Sequence, residues 1–168
     1  MAGTQSFDVT TGCDLQEVDN AVNQAIKEIN QRYDFKGAKV GIEFQKAEDK
    51  IVLTGPDDFK LKAMWEVLEG KMVRRNVPLK NLTPGKVAPG PGGTVQQEIL
   101  LQQGLPGETA KAIVKFLKDH QHKRVQATIQ GDQVRIASPS RDELQNVMTL
   151  LKKEDFGMEL NFGNYRSI

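Results

Sequence analysis

The chain has 168 residues, of which 38% are hydrophobic and 27% are charged, so it can bury the core of a globular protein. Lysine and arginine number 23 against 22 aspartate and glutamate residues, which gives a formal net charge of +1. A protein that binds duplex DNA through its phosphates usually has a higher net positive charge than this chain. Any basic site must therefore be local.

Cys13 is the only cysteine, which excludes an internal disulfide and fits a reducing compartment. No apolar run approaches the roughly 20 residues that span a bilayer. The first residues lack the basic and apolar regions of a signal peptide. We therefore expect a cytoplasmic protein.

The first half begins with a strand predicted over residues 6–11, because Phe7 and Val9 alternate with polar residues. Asp14 follows as a helix N-cap, with Glu17 as its capping-box partner. Apolar residues then recur at intervals of three and four, as on one face of a helix that ends near position 33. The members of this stripe are Leu15, Val18, Val22, Ala25, Ile26 and Ile29.

A hairpin, a second helix and a last strand complete the first half. Alternating apolar residues predict strands over 40–45 and 51–54, joined by a turn. Glycine and proline at 55–58 precede the helix, and residues 77–82 are predicted as the last strand. The apolar stripe of this helix comprises Phe59, Ala63, Met64, Val67, Leu68 and Met72.

Residues 32–37 (Arg-Tyr-Asp-Phe-Lys-Gly) lie between the first helix and the next strand. One interpretation is a helix C-terminus, where Arg32 and Lys36 face the negative end of the helix dipole. Tyr33 and Phe35 would then close the end of a core. The alternative is a ligand-binding corner, where the rings stack on a base and the cations meet phosphates.

Residues 83–94 are mostly proline and glycine without an apolar period, so we predict a linker. After it the same order of elements returns, with Gly131 at a hairpin turn and Ser140 capping the last helix. Both halves read β-α-β-β-α-β. This order predicts an α+β protein of two tandem ferredoxin-like domains, at residues 1–82 and 95–168, each a four-stranded antiparallel sheet with two helices on one face.

The other face of the second sheet is predicted to carry polar side chains, because they alternate along two paired strands. Carboxamides and guanidinium groups suit base edges and phosphates, although a solvated sheet face favours similar residues. The face lacks the aromatic residues that stack bases in RNA recognition modules. Its members are Arg124, Gln126, Thr128, Gln130, Gln133 and Arg135.

The sequence contains no catalytic constellation, because cysteine pairs, a Ser-His arrangement and convergent carboxylates are all missing. His120 and His122 have an H-x-H spacing, but no third ligand lies nearby in the sequence. We predict that the protein is not an enzyme and that it binds neither a metal ion nor a cofactor.

Four motifs carry a family resemblance: Ser-Phe-Asp at 6–8, the segment at 32–37, Val-Gln-Ala-Thr-Ile-Gln-Gly-Asp-Gln-Val-Arg at 125–135, and Ser-Arg-Asp-Glu-Leu-Gln at 140–145. With these motifs the chain resembles the YajQ family of small bacterial nucleotide-binding proteins, some of which bind cyclic di-GMP. The resemblance covers residues 6–166.

The resemblance implies that the two domains exchange their first strands, so residues 6–11 complete the second sheet and residues 95–103 complete the first. It also implies a nucleotide ligand, either cyclic di-GMP or GTP or ATP, and in some members a transcription regulator as partner. Gln96 and Pro139 stand where the family commonly has basic residues. If those cations contact phosphate, we expect weaker binding of a doubly charged dinucleotide here.

We therefore predict a non-enzymatic nucleotide-binding protein that responds to cyclic di-GMP and acts through a protein partner, with no membrane attachment. The alternative is an RNA-binding module for tRNA or other structured RNA on the same sheet faces. The predicted nucleotide-binding residues are Arg32, Tyr33, Phe35, Lys36, Arg124, Gln126, Thr128, Gln130, Arg135 and Arg141. Among these, Gln126 and Gln130 would read a guanine edge and Phe35 would stack on a base. The residues expected to meet phosphates are Arg32, Lys36, Arg124 and Arg135.

Overall fold

The computed structural model describes residues 3–120 and 124–167. These residues form two compact units. The first unit is Cys13–Gln102, and the second unit comprises the described residues of Met1–Gly12 and Gln103–Ile168. Each unit combines an antiparallel sheet with two helices, so the predicted α+β class and the two ferredoxin-like folds are confirmed. No helix within the described ranges is long and apolar enough to cross a membrane.

The elements in chain order are β1 (Gln5–Thr10), α1 (Leu15–Gln31), β2 (Gly41–Gln45), β3 (Lys50–Gly55), α2 (Asp58–Arg74), β4 (Leu82–Pro84), β5 (Ala88–Pro89), β6 (Val95–Leu101), α3 (Gly107–Asp119), β7 (Gln126–Gln130), β8 (Gln133–Ser138), α4 (Arg141–Lys153) and β9 (Asn161–Ser167). The sheet of the first unit has the order β2-β3-β6-β4, with β5 also paired to β6. The sheet of the second unit has the order β7-β8-β1-β9. Strand β1 therefore pairs with β8 and β9, and strand β6 pairs with β3, β4 and β5.

The helices of the first unit begin at aspartate caps. The Asp14 carboxylate accepts hydrogen bonds from the backbone N–H groups of Gln16 and Glu17 at 3.0 and 3.4 Å, as predicted for an N-cap. Asp57 caps α2 in the same way. Phe59, predicted on the inward stripe of α2, is instead 77% exposed, because it lies in the first turn before the buried stripe begins at Leu61.

The segment predicted as a linker is partly ordered into the first sheet. Strands β4 and β5 both pair with β6, and the Gly85 N–H donates to the Glu98 carbonyl oxygen at 2.7 Å. The prolines and glycines of this segment leave no alternating apolar pattern from which a strand could be predicted. Strands β4 and β5 form nevertheless, because short strands at a sheet edge need few hydrogen bonds to the neighbouring strand. The strand predicted over 77–82 is also wrong in extent, because Leu79–Asn81 is a short 3₁₀ helix and the strand starts at Leu82.

The second unit contains the features predicted from local sequence. Gly131 has a positive φ of 61° in the turn between β7 and β8. Ser140 Oγ accepts from the Glu143 N–H at 3.3 Å and caps α4. The core of this unit comprises Phe7, Val9, Leu105, Ala110, Ile113, Leu117, Val134, Ile136, Leu144, Val147, Met148 and Leu151. Because α3 and α4 supply this core from one side, the opposite side of the sheet is left without helices.

Candidate functional site

The side of the second sheet that carries no helices is a polar face. In β8, Val134 and Ile136 are buried in the core, whereas the alternating residues point to the opposite side. The pairing of β7 with β8 places Thr128 directly opposite Arg135. The polar face is defined here by Gln126, Thr128, Gln130, Gln133, Arg135, Ala137 and Asp8. Four of the predicted nucleotide-binding residues are therefore neighbours on one surface.

Arg135 is held by a buried carboxylate on the next strand. Asp8 of β1 pairs with Arg135 in register, and Arg135 Nε donates to Asp8 Oδ1 at 3.0 Å. The second carboxylate oxygen accepts from Asn164 Nδ2 at 2.6 Å and from Arg166 Nη2 at 3.4 Å. The Asp8 side chain is only 4% exposed, against 27% for Arg135. One buried negative charge therefore orients two arginines.

The Asp8 carboxyl has a lowered pKa, although its burial alone would raise it by disfavouring the charged form. The hydrogen bonds from Arg135 and Asn164, together with the positive charges of Arg135 and Arg166, outweigh that burial. Asp8 is therefore ionised at neutral pH, and the cluster with two arginines keeps a net positive charge.

Arg124 lies just outside the paired strands, because the pairing of β7 with β8 starts at Gln126. Its side chain is exposed and lines a shallow cavity of about 200 Å³ next to the polar face. Pro139 also lines this cavity. Alternation alone predicts Arg124 on the polar face itself, whereas in the structure it lies at the end of that face.

Arg141 is the first residue of α4 and is not brought to the polar face. It lines a different cavity, which α4 forms with β1 and β9 and which Tyr165 and Arg166 also line. The Arg166 guanidinium itself bonds Asp8, whose carboxylate lies on the side of the sheet away from the core.

The corner at residues 32–37 belongs to the first unit. Helix α1 ends at Gln31, a short 3₁₀ helix covers Tyr33–Phe35, and Gly37 has a φ of 78°, which is the left-handed region that favours glycine. Arg32 binds Asp34 through two hydrogen bonds of 2.9 and 2.7 Å. This pairing lowers the pKa of the Asp34 carboxyl and raises that of Arg32. A phosphate would have to replace Asp34 in order to bind Arg32 in the same way.

Phe35 does not fit the stacking role predicted for it. Its side chain is 3% exposed and belongs to the core of the first unit. Arg32 and Lys60 lie over its ring, at 5.0 and 5.3 Å from the ring centre, and Lys60 Nζ also donates to the Asp34 carbonyl oxygen. The interpretation of a closed helix end is therefore correct for Phe35, because the cations already occupy the ring face that a base would need.

Tyr33 and Lys36 differ from Phe35 in being exposed, and Tyr33 is 88% exposed. The predicted residues thus form two groups. Arg32, Tyr33, Phe35 and Lys36 lie on the first unit, and the other six lie on the second unit.

The remaining candidate groups have local structural explanations. His120 Nδ1 donates to the Phe116 carbonyl oxygen at 2.8 Å, and its ring packs on the Phe116 ring; His122 lies outside the described residues. Among the residues that the structure describes, no three histidine, cysteine or acidic side chains are grouped as metal ligands would be. Burial raises the pKa of the Cys13 thiol to about 11, with a smaller contribution from the charge of Asp49.

Sequence reasoning missed three residues of the second unit: Asp8, Asn164 and Arg166. The available signal was the alternation of Asp8 with Phe7 and Val9, which puts its carboxylate on the side of the strand away from the core. Alternation could not identify the neighbouring strand, because β1 pairs with strands more than a hundred residues away.

Comparison with known proteins identifies the family of this chain. The chain matches the model of the family described as "Nucleotide-binding protein YajQ-like" over residues 5–166. A nucleotide-binding protein of Koribacter versatilis is 51% identical over 162 residues, which is 96% of this chain and 97% of that protein. A nucleotide-binding protein of Desulfitobacterium hafniense is 49% identical over 166 residues, which is 99% of this chain and 100% of that protein. The chain therefore belongs to the YajQ family.

Proposed function

We propose that this chain is a non-enzymatic nucleotide-binding protein whose ligand is cyclic di-GMP, bound on the polar face of the second unit. One observation carries the proposal: β7 and β8 align Thr128 with Arg135 and place Gln126 and Gln130 on either side. Directly opposed residues lie about 5 Å apart, so a single nucleotide can contact several of these side chains at once.

The chemistry of the face suits a guanine nucleotide. A carboxamide offers both a donor and an acceptor, which is what the mixed hydrogen-bonding edge of guanine requires, and Gln126 and Gln130 each supply one. Arg135 uses Nε to bind Asp8. Its two Nη groups have no bonded acceptor among the residues that the structure describes, so they can donate to a phosphate in the bidentate manner typical of arginine.

Arg124 provides the second phosphate contact of this proposal. Its cavity adjoins Gln126, so a dinucleotide on the polar face can extend toward it. Pro139 lines the same cavity where the family commonly carries lysine, and it supplies no charge. We therefore expect the second phosphate to be bound less tightly than in a relative with lysine at this position.

The proposal extends to an effector role through a protein partner such as a transcription regulator. A ligand changes the affinity for a partner only if it binds the two states of the protein with different affinities. The absence of a catalytic role is supported by the names of the relatives, which describe binding proteins.

The experiment is calorimetric titration of the protein with cyclic di-GMP, GTP, ATP and a short structured RNA, in metal-free buffer. We expect saturable binding of cyclic di-GMP with a shallow salt dependence, because it carries only two phosphates. Gln126→Ala should weaken binding, whereas Lys153→Gln, an exposed charge at the end of α4, should not. The proposal would be overturned if cyclic di-GMP gave no heat of binding and the RNA bound with an affinity that falls steeply with salt. That result would favour the RNA-binding alternative.

A further inference from the structure

Strand β7 is the first strand in the order β7-β8-β1-β9, so it forms one edge of the second sheet. Among the strands that the structure describes, β7 pairs only with β8. It contains no charged residue and no proline, and its Ile129 is 41% exposed. An edge strand of this kind presents N–H and C=O groups to which another strand can add.

The other sheet edges carry features that oppose such pairing. Strand β2 has the charged Glu43 at its centre. Strand β9 contains the charged Arg166 and an irregularity in its pairing with β1. The edge formed by β4 and β5 contains Pro84 and Pro89, which have no N–H group. Within the described part of the chain, β7 is therefore the edge strand that lacks a charge, a proline or a bulge.

The pairing with β8 shows which backbone groups of β7 face the open edge. A two-residue turn joins the two strands, so the flanking Gln130 and Gln133 are a hydrogen-bonded pair. Hydrogen-bonded and non-hydrogen-bonded pairs alternate along an antiparallel ladder. Ala127 and Ile129 are therefore not hydrogen-bonded to β8, and their N–H and C=O groups point to the open edge.

The sequence of this edge is complementary to itself about Thr128. Gln126 and Gln130 lie two positions to either side of it, and Arg124 and Asp132 lie four positions to either side. If two copies pair antiparallel about Thr128, each glutamine lies opposite a glutamine, and a carboxamide can both donate and accept. The end of one strand, with its arginine, comes next to the turn of the other, with its aspartate.

We infer that β7 is a self-association surface, through which two copies of the chain form a two-fold symmetric dimer with one continuous sheet. The register about Thr128 pairs Ala127 with Ile129 of the second copy, and these are the residues whose backbone groups face outward. It also keeps each side chain on its own side of the sheet, so the polar faces of both copies lie on the same side. The dimer does not require a ligand on either face.

A cavity of about 350 Å³ beside β7 fits this pairing. Ile129 lies opposite Val134 of the core, so its side chain is on the helix side of the sheet. In the dimer, Ile129 of the second copy lies next to Ala127 and enters the cavity, where the small alanine side chain leaves room for it. The cavity lies between α3 and β7, and its apolar lining is Val114, Leu117, Val125 and Ala127.

The first test is the oligomeric state of the full chain. Sedimentation velocity is measured over a range of protein concentrations, without nucleotide. We expect a monomer that converts reversibly into a dimer as the concentration rises, because the pairing of one strand buries less area than a permanent interface does.

The variant Ile129→Lys tests the edge itself. It brings a charge into the apolar cavity of the second copy, so we expect the dimer to dissociate at least about tenfold more readily. Leu100→Lys is the matched control, since Leu100 is also an exposed apolar strand residue, at 48%, but lies in β6, which has strands on both sides. This control should dimerise like the wild type.

Disulfide cross-linking tests the register. Directly opposite residues of a non-hydrogen-bonded pair have Cα atoms about 4.5 Å apart, which a disulfide can span. Thr128→Cys should therefore give a covalent dimer on mild oxidation. Gln130→Cys is the control, because the two substituted positions would lie four residues apart along the strands, about 13 Å. The wild type, with its buried Cys13, gives the background.

Three results would overturn the inference: a monomer at every concentration, a dimer that Ile129→Lys leaves intact, or equal cross-linking of the two cysteine variants. Binding of an extended peptide to a chain that stays monomeric would also overturn it, because the edge would then serve a different partner. Circular dichroism of each variant confirms that a loss of the dimer is not a loss of folding.

Discussion

Arg135 Nε and Asp8 Oδ1 form a 3.0 Å hydrogen bond between residues that are 127 positions apart in the sequence. The bond joins the first strand of the chain to the hairpin of the second half, at the one place where both strands carry charged side chains in register. It fixes the orientation of the arginine on which the proposed nucleotide site depends.

The first prediction concerns the stability that Asp8 provides. The substitution Asp8→Asn removes the negative charge that Arg135 and Arg166 contact. The NH₂ group of the new asparagine can also face the NH₂ group of Asn164, and two donors cannot bond each other. Because hydrogen bonds to charged groups contribute about 1.5 to 3 kcal/mol, we expect the free energy of unfolding to fall by about 2 kcal/mol. Urea denaturation at neutral pH measures the change.

The control is Glu66→Gln, at an exposed position within α2, which should change the free energy of unfolding by less than about 0.5 kcal/mol. Equal losses in the two variants would contradict this role.

The second prediction is a pH dependence with a definite sign. The folded-state pKa of Asp8 lies below its ordinary value of 3.8, so its stabilisation is fully present above that value and is lost as the pH falls through the folded pKa. The difference in unfolding free energy between the wild type and Asp8→Asn should therefore be constant near neutrality and shrink in acid. Denaturation curves from about pH 6 to about pH 2.5 measure it. A difference that grows as the pH falls would contradict the lowered pKa.

The third prediction separates the two aromatic residues of the corner at 32–37. Phe35 is buried, so Phe35→Ala should lower the free energy of unfolding by about 3 to 5 kcal/mol. Tyr33 is 88% exposed, so Tyr33→Ala should change it by less than about 0.5 kcal/mol. Thermal and urea denaturation of both variants test the contrast. A cost for Tyr33→Ala comparable with that of Phe35→Ala would show that the corner packs differently.

The fourth prediction is that Cys13 is unreactive in the folded protein. With a thiol pKa of about 11, roughly one thiol in a thousand is ionised at about pH 8, and the side chain is also buried. We expect a disulfide reagent such as DTNB to label the native protein far more slowly than the urea-unfolded protein. Labelling of the native protein at the rate of the unfolded control would contradict the burial of Cys13.

Much of the fold could be predicted from local sequence. Caps such as Asp14 and Ser140 and the glycine of the β7–β8 turn act over a few residues, so pattern and chemistry identify them directly. The alternation along β7 and β8 also predicted which side chains share a surface. The caps, the turn and the alternation all depend only on residues that are close in the sequence.

The rest depends on contacts between distant residues. Strand β1 lies between β8 and β9, so the partners of Asp8 could not be read from its neighbours in the sequence. Strands β4 and β5 could not be predicted for the same reason, because each is short and pairs only with β6. Phe35 had two chemically reasonable roles, and its burial in the core, with Arg32 and Lys60 over its ring, distinguishes them.

A proton–nitrogen NMR titration of the assigned protein with cyclic di-GMP shows directly whether the polar face binds the nucleotide. We expect saturable shifts concentrated in Gln126–Gln130 and Gln133–Ser138, the two strands that form the polar face. Absence of binding would contradict it. So would shifts confined to the cavity lined by Arg141 and Tyr165, which would place the nucleotide there instead.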